Sequence, residues 1–142
     1  MPSFTIQVPN IRETGPIVEV GITVGSVIED IIKESGQIIP LPFQTLAMID
    51  TGASKTVIQE DVVKQLNLNP TGVMKITTAS HVDVECYKYI VKILFPNNVI
   101  FETSVVAVPL SGQNIHCLIG RDILGFAVFI YNGYTNSFTL SF

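Results

Sequence analysis

Charge is scarce in this chain. Only 14% of its 142 residues are Asp, Glu, Lys or Arg, against about a quarter in an ordinary soluble domain. Hydrophobic residues make up 47%. So few ionic groups leave apolar surface for something to cover, most simply a second copy of the chain. The eight Lys and Arg form no cluster, which argues against a nucleic-acid partner. No apolar run approaches the ~18–20 residues of a membrane-spanning helix. The longest, Ile123 to Tyr131, is interrupted by Gly125. Met1-Pro2-Ser3-Phe4-Thr5 has no basic segment leading into an apolar one, so no secretory leader is visible and a cytoplasmic protein is expected. Two cysteines, Cys86 and Cys117, are too few for a disulfide framework or a thiolate zinc site. Buried free thiols are the expectation. His81, Cys86, His116 and Cys117 match no metal-ligand spacing, and neighbours such as His116 and Cys117 face opposite ways on a strand. Neither a metal nor a cofactor is expected.

What is present reads as β-structure in one domain's length of chain. Phe4, Ile6 and Val8 alternate with polar residues. Ile17 to Val24 is rich in β-branched side chains, and Phe43 to Ile49 runs into Asp50. Val73 to Thr78, Val82 to Phe95, Val99 to Val108 and Ile115 to Ile119 follow as strand-like stretches. Ala127 to Tyr131 and Ser137 to Ser141 flank Asn132-Gly133, a turn signal. Short helices are expected after Ser26, whose spacing to Glu29 is that of a capping box, after Glu60-Asp61, and from Arg121 to Leu124. Asp83 falls in an alternating stretch. The whole reads as an all-β domain with short helices, closed or sandwich-like.

One segment carries chemistry. In Leu46-Ala47-Met48-Ile49-Asp50-Thr51-Gly52-Ala53-Ser54 an apolar strand delivers a carboxylate into a tight turn. A carboxylate there is costly unless hydrogen-bonded or paired. Gly52 lets backbone approach it closely. A structural turn in which Asp50 merely caps its own loop is the plain alternative. A second segment, Ile115-His116-Cys117-Leu118-Ile119-Gly120-Arg121-Asp122-Ile123-Leu124, is another apolar strand, a glycine and a helix start. Asp122 suits the N-terminus of that helix.

Taken together, the two segments resemble the retropepsin-like aspartic proteases, the cellular and bacterial members more than the viral ones. That family pairs a D-[TS]-G-[AS] loop with a later G-R-[DN] segment. The tail Ser137-Phe138-Thr139-Leu140-Ser141-Phe142 is similar to the C-terminal strand by which retropepsins dimerise. The resemblance implies a closed barrel over residues 1–142, working as a homodimer on a peptide or protein substrate. A single D-T-G is half a site, and Asp50 of two copies would flank one water, with Thr51 and Gly52 completing each catalytic loop. It further implies substrate contacts from Ser54, from a flap hairpin over 73–87 with its tip at Thr78, Ala79, Ser80 and His81, and from Leu118 and Ile119. Arg121 and Asp122 would tie the helix to the loop and the dimer. Phe138, Leu140 and Phe142 would lie in the dimerisation strand. Residues 25–42 read as an insertion. Ala53 offers no hydroxyl to stabilise an ionised carboxylate, so a shared proton would persist to mildly acidic or near-neutral pH. A non-catalytic peptide-binding or assembly module of the same fold is the alternative.

Overall fold

The computed structural model describes residues 2–77, 83–110 and 114–142. In chain order its elements are β1 (Ser3–Gln7), α1 (Ile11–Thr14), β2 (Ile17–Val24), α2 (Ser26–Glu34), β3 (Phe43–Ile49), β4 (Val57–Gln59) and α3 (Glu60–Gln65). They continue with β5 (Gly72–Ile76), β6 (Val84–Leu94), β7 (Ile100–Val108), β8 (Ile115–Ile119), α4 (Arg121–Leu124), β9 (Val128–Asn132) and β10 (Ser137–Ser141). The all-β expectation holds.

Seven strands form one sheet in the order β2-β3-β8-β4-β7-β6-β5, and β2 also pairs with β6. That pairing closes six of them into a barrel and leaves β5 attached outside. The alternation that marks a half-buried strand drives this closure: Val18, Val20, Ile22 and Val24 of β2 all turn inward. Val105 to Val108 is buried without alternation because β7 is covered on both faces. Val105 and Ala107 join the main core, while Val106 and Val108 join a smaller cluster with Cys86. Both cysteines are free and buried.

The ends of the chain make a second sheet, in the order β1-β10-β9. β10 pairs antiparallel with β1 on one side and β9 on the other, so no backbone edge is left for a partner. Phe138 and Leu140 point into the chain's own core, and Phe142 packs at 5.9 Å from the rings of Phe95 and Phe101.

Two local departures have plain causes. Glu29 makes no capping box with Ser26. Two ammonium groups, Lys33 and Lys92, bind it instead, because a charged donor outcompetes a backbone N–H. Gly25 is the N-cap of α2, and Glu102 of β7 accepts from the Ser26 backbone and hydroxyl. Asp83 adopts φ 55° and sits before β6 rather than within a strand. No helix among the described residues is long and apolar enough to cross a membrane.

Candidate active site

β3 and β8 run parallel at the centre of the barrel sheet, with Ile49 beside Ile119. Each continues past its last paired residue into a loop. The Asp50 backbone N–H donates to Ile119 O at 2.9 Å, so the aspartate leaves the sheet from a fixed point. The turn then folds on itself: Gly52 N donates to Asp50 Oδ1 at 2.9 Å, and Ala53 N donates to Asp50 O at 3.2 Å. A Cβ on residue 52 would lie 3.1 Å from that carboxylate oxygen, which is why glycine suits the position. Among the described residues, the Gly52 N–H is the one hydrogen-bond donor to the Asp50 carboxylate. Asp50 is half-buried; Thr51, Gly52 and Ser54 are exposed.

The second loop grips the first. Arg121 N donates to Ala53 O at 2.8 Å, and Arg121 Nη1 donates to Thr51 O at 2.7 Å. The expected tie between α4 and the Asp50 loop is thus present, although the Arg121 side chain is exposed. Asp122 turns inward: Oδ2 accepts from Thr56 N at 3.0 Å, and Oδ1 from Thr56 Oγ1 at 2.7 Å and Ile123 N at 2.9 Å. Thr56 is fully buried, and its hydroxyl also accepts from Gly120 N at 3.0 Å. Thr56 carries no signature of this role in the sequence. Its only signal is indirect: an aspartate at a helix start beside a buried strand needs donors from elsewhere. Gly120 is required by contact, since a Cβ there would lie 2.5 Å from the carbonyl carbon of Lys55.

The remaining expected site residues divide. Leu118 is half-exposed and Ile119 is fully buried, because alternation along β8 turns Ile119 into the core. β5 and β6 form the expected hairpin, from Gly72 opposite Lys88 to Ile76 opposite Val84. Its tip, Thr78, Ala79, Ser80 and His81, lies outside the described residues. The His116 ring is 2.9 Å from Thr45 Oγ1 and 3.5 Å from Asp61 Oδ2, on the opposite face of β8 from Cys117. Burial, and then the negative charge of Asp122, push the Cys117 thiol up to about 12. Burial also raises the Cys86 thiol. Both thiols are therefore held protonated, which slows their reaction, that of Cys117 the more. α2 lies against the barrel wall, where a pocket of about 500 Å³ is lined by Val27, Ile28, Leu68 and Ile90 and by no residue of the Asp50 loop.

A family model described as aspartyl protease matches residues 43–123, from the start of β3 into α4. No curated protein matches the chain in sequence. Among solved structures, the chain is similar to a retropepsin-like aspartic protease from Rickettsia conorii, with TM-score 0.56 and 12% identity over 98% of this chain and 91% of that one. It also matches EIAV protease complexed with the inhibitor HBY-793, with TM-score 0.46 and 21% identity over 78% of this chain and 86% of that one. The retroviral protease-like domain of Ddi1 from Leishmania major matches with TM-score 0.47 and 10% identity over 82% of both chains. The Rickettsia structure and this chain share one fold.

Proposed function

The chain belongs to the aspartyl protease family, and from that premise we propose that it is an endopeptidase whose active unit is two copies, each contributing Asp50. The observation that carries this reading is the carboxylate of Asp50. It leaves a parallel pair of strands, half-buried, and among the described residues accepts one hydrogen bond, from Gly52. Such a carboxylate is positioned yet still has lone pairs free for a water. One aspartate cannot serve as both base and acid at once. A second Asp50 brought beside it would share one proton, since two like charges a few Å apart do not both ionise.

In this reading the ionised member takes a proton from the water as its oxygen attacks the peptide carbonyl carbon. The protonated member hydrogen-bonds the carbonyl oxygen and stabilises the charge that develops there. The resulting tetrahedral species collapses as the aspartate pair hands a proton to the leaving nitrogen, and the C–N bond breaks. Thr51 and Gly52 hold the loop. Gly52 and Ser54, with the hairpin tip 78–81 and Leu118, contact the substrate backbone and side chains. An extended peptide suits these groups because main-chain hydrogen bonds supply affinity and alternate side chains supply selectivity. With Ala53 lacking a hydroxyl, activity extends toward mildly acidic or near-neutral pH.

A peptide-library cleavage assay across pH, run with Asp50→Asn alongside, tests the proposal. The parent is expected to cleave and the variant not, with circular dichroism unchanged. Equal turnover by the variant overturns the assignment of Asp50. A parent that binds peptides without cleaving them would instead be a recognition module of the same fold.

A further inference from the structure

Charge is unevenly placed around the candidate site. The chain carries twelve Asp and Glu against eight Lys and Arg. Yet Lys55 is the one such residue between Asp50 and Glu60, and Arg121 and Asp122 are the only ones after Glu102. Asp122 turns inward to its three donors, so the outer side of the junction presents Lys55, Arg121 and the half-buried Asp50. Arg121 already binds Thr51 O. Lys55 forms no salt bridge among the described residues. The strand that follows fixes the side to which Lys55 turns. Val106 N donates to Thr56 O at 3.1 Å, so the chain is already held against β7 at Thr56. Thr56 and Ile58 are fully buried, and alternation sends Lys55 and Val57 to the opposite face. There Val57 packs on the small cluster of Cys86, Val106 and Val108, together with Ile76 and Val84, a cross-strand pair of the β5–β6 hairpin. Half-exposed Leu118 is the direct partner of Val57 across β4 and β8. Lys55 lies two residues from Val57 toward Asp50, roughly 6–7 Å along an extended chain.

We propose that Lys55 selects substrates carrying a carboxylate side chain beside the cut bond, glutamate above all. This rests on the endopeptidase reading of Asp50 and names the substrate class of that same site. Val57, Leu118 and the hairpin pair offer an apolar wall to the methylenes of a glutamate. The ammonium at the Asp50 end of that wall then meets the carboxylate in a charge-assisted hydrogen bond. Its charge has a second effect. Two Asp50 carboxyls sharing one proton keep one negative charge, which repels an anionic side chain bound nearby. A lysine beside them offsets that repulsion. Selection is therefore by charge rather than shape: glutamine fills the same space but leaves the ammonium without a counter-charge. The lysine is a point charge on a flexible stem, so it accepts a carboxylate over a range of angles.

The test uses sets of peptides that differ only in carrying Glu, Gln or Lys at one position, walked along both sides of the cut bond. Ratios of kcat/KM within a set are read at low ionic strength for the parent, Lys55→Met, Lys55→Glu and Lys33→Glu, the last placing the same charge change on α2. Each ratio is taken within one protein, so a change in folded fraction cancels. The parent and Lys33→Glu should favour Glu over Gln about 5-fold at one position, and the preference should fall as salt is added. Lys55→Met should remove it, and Lys55→Glu should reverse it in favour of Lys. The same peptides are titrated by fluorescence anisotropy against Asp50→Asn, which is expected to hold them without cutting. Equal ratios in the parent at every position, or a preference that survives in Lys55→Met, overturn the role of Lys55. Cleavage by the parent without selection refutes that role alone and leaves the endopeptidase reading intact. Selective binding of the Glu peptide with no cleavage by the parent supports Lys55 and refutes the endopeptidase reading. Neither cleavage nor selective binding refutes both.

Discussion

Asp50 and Asp122 lie just past the ends of neighbouring parallel strands, one in a turn and one in α4, yet their surroundings are opposite. Asp122 accepts three hydrogen bonds, two of them from the fully buried Thr56. Among the described residues, Asp50 accepts one, from a backbone N–H in its own turn. A carboxylate saturated by fixed donors holds structure and has little capacity left for a reactant. A carboxylate with one donor, fixed at its Cα by the sheet, keeps that capacity. Two aspartates of one chain, each followed closely by a turn, thus fill different offices because of the donors around them.

Substitutions should separate those offices. The largest effect on activity belongs to Asp50→Asn. It should abolish peptide cleavage while changing unfolding free energy by less than about 0.5 kcal/mol in urea melts. Comparable stability loss would mean that Asp50 is structural after all. Gly120→Ala should have the largest effect on stability, about 3 kcal/mol or more, since its Cβ would lie 2.5 Å from backbone on the Asp50 side of the junction. Slightly less is expected of Asp122→Ala, about 2–3 kcal/mol, because the bonds it removes are charge-assisted and Thr56 is left buried. That variant should also speed alkylation of Cys117, which in the parent stays unmodified under native conditions while Cys86 reacts slowly. Mass spectrometry of the labelled peptides reads this, and an unchanged Cys117 rate would show that the two loops do not open together.

The smallest effect is expected on α2, which contributes no residue to either loop. Hydrogen bonds from Lys92 and Lys33 hold the Glu29 carboxyl below its ordinary 4.5. A carboxyl lowered in the folded state stabilises the fold above its unfolded value. That contribution is lost as pH falls through the lower folded value. Glu29→Gln should therefore flatten the loss of stability below about pH 4.5 and change little at pH 7. Thermal melts across that range check it, and a steeper acid loss in the variant would reverse the sign.

The Asp50 loop was legible from sequence because every part of its signal is local. An apolar strand, a carboxylate and a glycine two residues on are contiguous, and the turn they make closes on itself. The strands were legible for the same reason, through alternation, as was the β9–β10 connection. There the signal was Asn132-Gly133, and the loop closes through Asn132 Oδ1, which accepts from Thr135 N at 3.1 Å, with Asn136 at φ 53°. The burial of Ile119 and the partners of Glu29 were not legible. Each depends on which strand lies alongside, and the capping-box spacing of Ser26 and Glu29 carried no hint of Lys92 on β6.

By itself, then, the sequence determined a β-rich chain with one loop able to present a carboxylate, a helix start at Gly120-Arg121-Asp122, and a C-terminal stretch without charge. These follow from properties of neighbouring residues. Only the tertiary structure decided that Thr56 satisfies Asp122, 66 residues away. It alone placed β10 between β1 and β9, with Thr5 hydrogen-bonded to Thr139 across 134 residues. Strand order is settled by burial and backbone pairing summed over the whole chain, and no local pattern encodes which edge of a sheet remains open.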